Sequence, residues 1–90
     1  MADAPPTDAR AIALVALATA LSDERRARRF LDLTGIGTDE LRERVADPAL
    51  LAGLIRFLEA HEPDLVAVAQ AMDVKPESLV KARHELEESQ

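Results

Sequence analysis

The chain has no cysteine, no tryptophan and no tyrosine, and its only aromatic residues are Phe30 and Phe57. Without thiols there can be no disulfide, no thiolate nucleophile and no cysteine zinc site, and a reducing cytoplasm is the expected setting. Without more aromatics the core must be assembled from Leu, Val, Ile and Ala, within a composition that is 48 % hydrophobic. Glycine is scarce as well: Gly35-Ile36-Gly37 lacks the lysine and the preceding strand that a phosphate-binding loop requires. His61 is followed by Glu62, Pro63, Asp64 and Leu65, so the HExxH zinc spacing is missing, and two histidines among scattered carboxylates do not form a ligand set. The acids are accounted for as caps, first-turn charges and helix pairs such as Glu40 with Arg44 and Glu77 with Lys81. No metal, no cofactor and no enzymatic activity is expected.

Ninety residues suffice for one compact domain, which buries roughly 60 to 65 % of the surface of the unfolded chain. The run from Ala11 to Leu21 is apolar on all faces but falls short of the about 20 residues of a membrane span. Asp3 and Asp8 precede it with only Arg10, so the basic segment of an export signal is missing, and the run reads as a buried central helix. Net charge is −6, with residues 23–46 balanced at six acids and six bases and residues 47–90 carrying nine acids against four bases. An acidic balance of this kind argues against a free-standing nucleic-acid binder.

Six helices follow from the pattern of caps and apolar spacing. Residues 1–7 read as a disordered leader. Thr7 or Asp8 caps a first helix from about Asp8 to Leu21, and Ser22-Asp23-Glu24 starts a second, with Ala27, Phe30, Leu31 and Thr34 on one face. Gly35 suits a left-handed C-cap, with Ile36 covering the helix end. Thr38 is expected to cap a third helix over about Asp39 to Ala46, and Asp47-Pro48 starts a fourth that runs to about Ala60. Pro63 and Pro76 mark the first turns of helices five and six, and the last helix should fray where Glu85, Glu87 and Glu88 crowd its negative pole.

The chain also repeats itself. Residues 33–41 align with residues 71–79, placing Ile36 on Val74, Thr38 on Pro76 and Leu41 on Leu79 at an offset of 38. The fold class is therefore all-α: a compact bundle of about six short helices, built as two tandem three-helix repeats, residues 8–46 and 47–88, with helices one and four at the centre.

Two features bear on function. The segment from Leu65 to Leu86, with Ala69, Asp73, Val74 and Leu79 spaced around a turn, has a helix-turn-helix look, and Leu31, Gly35, Ile36 and Leu41 echo it. A DNA reader would place basic or amide side chains at the start of the second helix, whereas here stand Asp39, Glu40 and Glu43 in one copy and Glu77 in the other. The second feature is Glu24-Arg25-Arg26-Ala27-Arg28-Arg29. Arg28 has Glu24 and Asp32 four residues away on either side, but Arg25, Arg26 and Arg29 have no such neighbour. The plain reading is a solvated face; the functional one is a ridge of Arg25, Arg26 and Arg29 that docks an acidic partner, with Glu85, Glu87 and Glu88 as an intramolecular candidate.

Together, the motifs Phe30-Leu31-Asp32-Leu33-Thr34-Gly35-Ile36, Asp47-Pro48-Ala49-Leu50-Leu51, Phe57-Leu58 and Val74-Lys75-Pro76-Glu77-Ser78-Leu79 resemble a known family. It is the group of small bacterial, mainly alphaproteobacterial proteins called domain of unknown function family 3572, and the resemblance spans about Ala9 to Leu86. It implies a stand-alone bacterial cytoplasmic domain and carries no catalytic residues. The expected function is a small non-enzymatic protein-protein interaction or regulatory module, able to pair with its own copy and not associated with a membrane. The alternative is a nucleic-acid-associated regulator that uses the helix-turn-helix-like second repeat or the arginine ridge.

Overall fold

In the computed structural model of the protein, which describes residues 8–88, carboxylate caps set the starts of three helices. Asp8 accepts the Arg10 N–H at 3.0 Å and opens α1 (Ala9–Leu21). Asp23 accepts the Arg26 N–H at 3.0 Å and opens α2 (Glu24–Thr34). Asp47 accepts the Ala49 N–H at 2.9 Å and opens α4 (Pro48–Glu59) on the expected proline. Each bond satisfies a donor that the first turn of a helix leaves without a backbone partner. Pro63 lies in the first turn of α5 (Glu62–Met72), and Pro76 is the first residue of α6 (Pro76–Glu88). The expected leader at residues 1–7 lies outside the described residues.

The third helix differs from expectation. Thr38 does not cap it: α3 (Thr38–Glu43) begins on that threonine, Gly37 takes the cap position, and no side chain closes the end. The helix also stops short of Ala46, because the Arg44 guanidinium turns back to Asp47, with its Nε at 3.2 Å and its Nη2 at 3.0 Å from Oδ2. The carboxylate that begins α4 thus also holds the end of α3.

Among the described residues two adopt left-handed backbone, and both end a helix. Gly35 (φ 72°) follows α2 and donates its N–H to the Leu31 carbonyl at 2.9 Å. Asp73 (φ 60°) follows α5, where its N–H reaches the Gln70 carbonyl at 3.1 Å and the Val74 N–H reaches Ala69 at 3.0 Å. The second pattern is a Schellman closure, which satisfies two carbonyls where the first satisfies one. Aspartate tolerates this conformation better than most side chains, so the repeat offset survives here despite the change of residue.

Ala13, Ala16, Leu17 and Ala20 form the buried stripe of α1 at helical spacing. Leu50, Leu51, Ala52, Leu54, Ile55 and Leu58 make α4 the most thoroughly buried helix, and α6 adds Leu79, Ala82 and Leu86. These three helices pack on one another, with α5 against α1 and α4, and α2 joined to the bundle through Phe30. The Phe30 ring meets Phe57 edge-on, with centroids 5.3 Å apart. α1 is central but not enclosed, since Val15 is 51 % exposed and Ala11 and Ala18 are also open to solvent.

The two expected three-helix repeats do not pack alike. α6 packs on both α1 and α4, whereas α3, its counterpart in the first half, makes no comparable contact with either. The reason is length: α3 has 6 residues and α6 has 13, so only Leu41 of α3 is buried. The core consequently has three central helices rather than two.

Leu54 is fully buried, so Leu54→Ala is expected to lower unfolding free energy by about 2 to 5 kcal/mol in denaturant titration. At Gly35 no atom lies within 4 Å of an added Cβ, so the loss for Gly35→Ala is conformational alone, about 1 to 2 kcal/mol by the same measurement.

Candidate functional site

The arginines of α2 part company in three dimensions. Arg26 donates from Nε to Asp64 Oδ1 at 3.1 Å, and Arg29 donates from Nη2 to Asp64 Oδ2. Asp64, in the first turn of α5, is the only buried charged residue among the described residues. Arg26 and Asp64 are 38 positions apart, the same offset that relates Ile36 to Val74, so the ion pair joins corresponding first turns of α2 and α5. The two backbones are not among the closely packed helix pairs, and long side chains span the gap between them.

Arg29 has a second contact. Its guanidinium carbon lies 5.1 Å from the centroid of the Phe57 ring, within the range of an attractive cation–π arrangement. Arg25 and Arg28 remain exposed, and among the described residues neither forms an ion pair, including the expected ones from Arg28 to Glu24 and Asp32. Glu77 and Lys81 likewise do not close, whereas Glu40 and Arg44 do, at 3.4 Å. The expected ridge is therefore divided: Arg26 and Arg29 are held inward on Asp64, and Arg25 stands free.

The C-terminal glutamates do not supply that inward partner. Glu87 instead accepts from Arg83 Nη1 at 3.0 Å and from Arg56 Nε at 2.5 Å. Arg83 also grips Glu59 with two bonds, at 2.5 and 3.1 Å, which clamps α4 to α6. This explains how α6 carries acids near its C-terminal end without an unanswered charge at Glu87. It also commits Arg83, one of the three cations of the helix-turn-helix-like half, and leaves Lys75 and Lys81 exposed at its surface.

Two clefts flank Arg29 and His61. One, of about 240 Å³, is polar and lies between Asp23, Arg25, Arg26, Arg29, His61 and Asp64. The other, of about 340 Å³, is apolar and is lined by Leu33, Phe57 and Ala60 together with the shared Arg29 and His61. Leu33 is 71 % exposed, the most open large apolar side chain of the described residues. A third groove of about 380 Å³ runs between α1 and α3 and is lined by Leu14, Leu17, Leu21, Leu41 and Val45. Among the described residues no three His, Cys, Asp or Glu side chains are grouped to hold a metal ion, and no helix is long and apolar enough to cross a membrane.

Residues 6–89 match the family described as protein of unknown function DUF3572. The chain belongs to that family. Its description names no activity, and neither a curated protein nor a solved structure matches the chain.

Asp64 and Phe57 are the site residues that sequence reasoning missed. Asp64 stood in the sequence as a first-turn acid, a complete local explanation that concealed its tertiary role. The offset of 38 between it and Arg26 was the available signal.

Asp64→Asn is expected to lower stability by about 1 to 3 kcal/mol in denaturant titration, because Arg26, only 14 % exposed, loses its carboxylate. Three other carboxylates set an expected response to acid. The backbone N–H of Arg26, then its guanidinium, holds Asp23 below its ordinary 3.8; the Ala49 N–H and then Arg44 do so for Asp47; Arg56 and then Arg83 hold Glu87 below 4.5. Carboxylates with depressed folded values stabilise above their unfolded values and lose that contribution as pH falls through the folded ones. Tm should therefore be flat from neutral pH to about 5 and decline below about 4 in pH-dependent thermal melts.

Proposed function

We propose that the protein is a small non-enzymatic interaction module that docks a protein partner on the open face of α2. The carrying observation is Leu33, which projects 71 % exposed beside the Arg29–Phe57 contact and over an apolar cleft. An aromatic ring and an arginine are residue types enriched in protein interfaces, and the exposed leucine beside them adds apolar surface that a partner can bury. Arg25 and Arg28, exposed on the same helix, favour an acidic partner. The cysteine-free composition supports a cytoplasmic setting.

The division of the arginines decides which variant tests this reading. Arg29→Glu would place a carboxylate against Asp64 and so confound binding with folding. Leu33→Asp changes an exposed position and is expected to leave stability within about 0.5 kcal/mol. Affinity capture from native-host lysate after nuclease treatment should recover a protein that the Leu33→Asp variant does not. Identical recovery by both chains would contradict the reading. Partners that vanish with nuclease, with binding that falls steeply as salt rises, would favour the nucleic-acid alternative instead.

A further inference from the structure

The polar and apolar clefts meet at Arg29 and His61, and their adjacency says what a partner must carry. The polar cleft sets three arginines against two carboxylates, a local excess of one positive charge in a chain of net charge −6, with histidine counted as neutral. Both carboxylates are already engaged: Asp23 accepts the Arg26 backbone N–H, and Asp64 binds the Arg26 and Arg29 side chains. Donors are left over. Arg26 uses only Nε on Asp64, and among the described residues no buried side-chain nitrogen lacks a partner, so its two terminal nitrogens keep contact with solvent on a residue that lines the cleft. Arg25, exposed and free of ion pairs among the described residues, lines the same space.

We propose that the paired clefts recognise a protein segment in which an acidic side chain is followed directly by an apolar one. The carboxylate takes the free N–H groups of Arg26 and Arg25, and the apolar side chain lies against Leu33, Phe57 and Ala60. This specifies the partner chemistry of the interaction module and rests on that reading. Charge selects a carboxylate: one negative charge cancels the local excess, whereas a phosphate dianion would overshoot it beside Asp23 and Asp64. Asp64 is a positioning residue here. By fixing Arg26 and Arg29 before the partner arrives, it reduces the conformational entropy that those long side chains would otherwise lose on binding.

The test uses a blocked Gly-Glu-Leu-Gly peptide and its Gly-Gln-Leu-Gly counterpart, titrated into isotope-labelled full chain and followed by NMR. The glutamate peptide should shift the Arg26 Nε–H and the Leu33 methyl resonances. The glutamine peptide, and the glutamate peptide with the Arg25→Gln variant, should each bind about fivefold more weakly, the scale of one partly exposed charge pair. Equal binding of the two peptides, shifts confined to other surfaces, or no shift up to the solubility of the glutamate peptide would overturn the proposal. So would inorganic phosphate that moves the same resonances more strongly than the glutamate peptide. A captured partner that depends on Leu33 but ignores Arg25→Gln would leave the interaction module standing while this specificity fails. Peptide binding as described, with capture unaffected by Leu33→Asp, would separate the two in the opposite sense.

Discussion

Ala13, Ala16 and Ala20 give α1 a face almost without side-chain bulk, and the close approach of α4, α5 and α6 depends on it. A core with two aromatic residues cannot fill wide gaps, so it must bring backbones close and fill the remainder with leucine. Ala52, Ala69 and Ala82 repeat the device on the facing helices, and Leu51, Leu54, Leu58 and Leu79 occupy what is left. A larger residue at any of the α1 alanines would push the other central helices outward together, because they share the same contact surface.

The two phenylalanines are used for something else. Phe30 is α2's one fully buried anchor, and its edge contact with Phe57 ties that otherwise polar helix to α4. Phe57 then presents its ring to Arg29, so a single aromatic pair joins the core to the surface where function is proposed. Asp64 reinforces this from the other side by binding Arg26 and Arg29. The face of α2 is consequently tied down where it meets the bundle and open at Arg25, Arg28 and Leu33.

What could be read from the sequence was local in origin. Asp47-Pro48, Gly35, Pro63 and Pro76 signal through backbone geometry that each residue imposes on its immediate neighbours, and the helices begin or end where those residues stand. The misreadings had two sources, competition between near neighbours and contacts from distant parts of the chain. Thr38 lost the cap position to Gly37, and α3 ended early once Arg44 turned to Asp47. Arg26 and Arg29 looked unpartnered because their carboxylate lies on another helix. Gly35 and Asp73, aligned at the offset of 38, both turn left-handed, but the packing does not repeat, since six residues cannot bury what thirteen can.

That short third helix has a consequence for how the molecule opens. Leu41 is its single buried anchor, its first turn has no side-chain cap, and its far end is the Arg44–Asp47 link. Detaching it uncovers the groove on α1 while leaving the contacts among α1, α4, α5 and α6 intact. With so little of residues 38–46 buried, their amides are expected to exchange with solvent sooner than those of the central helices.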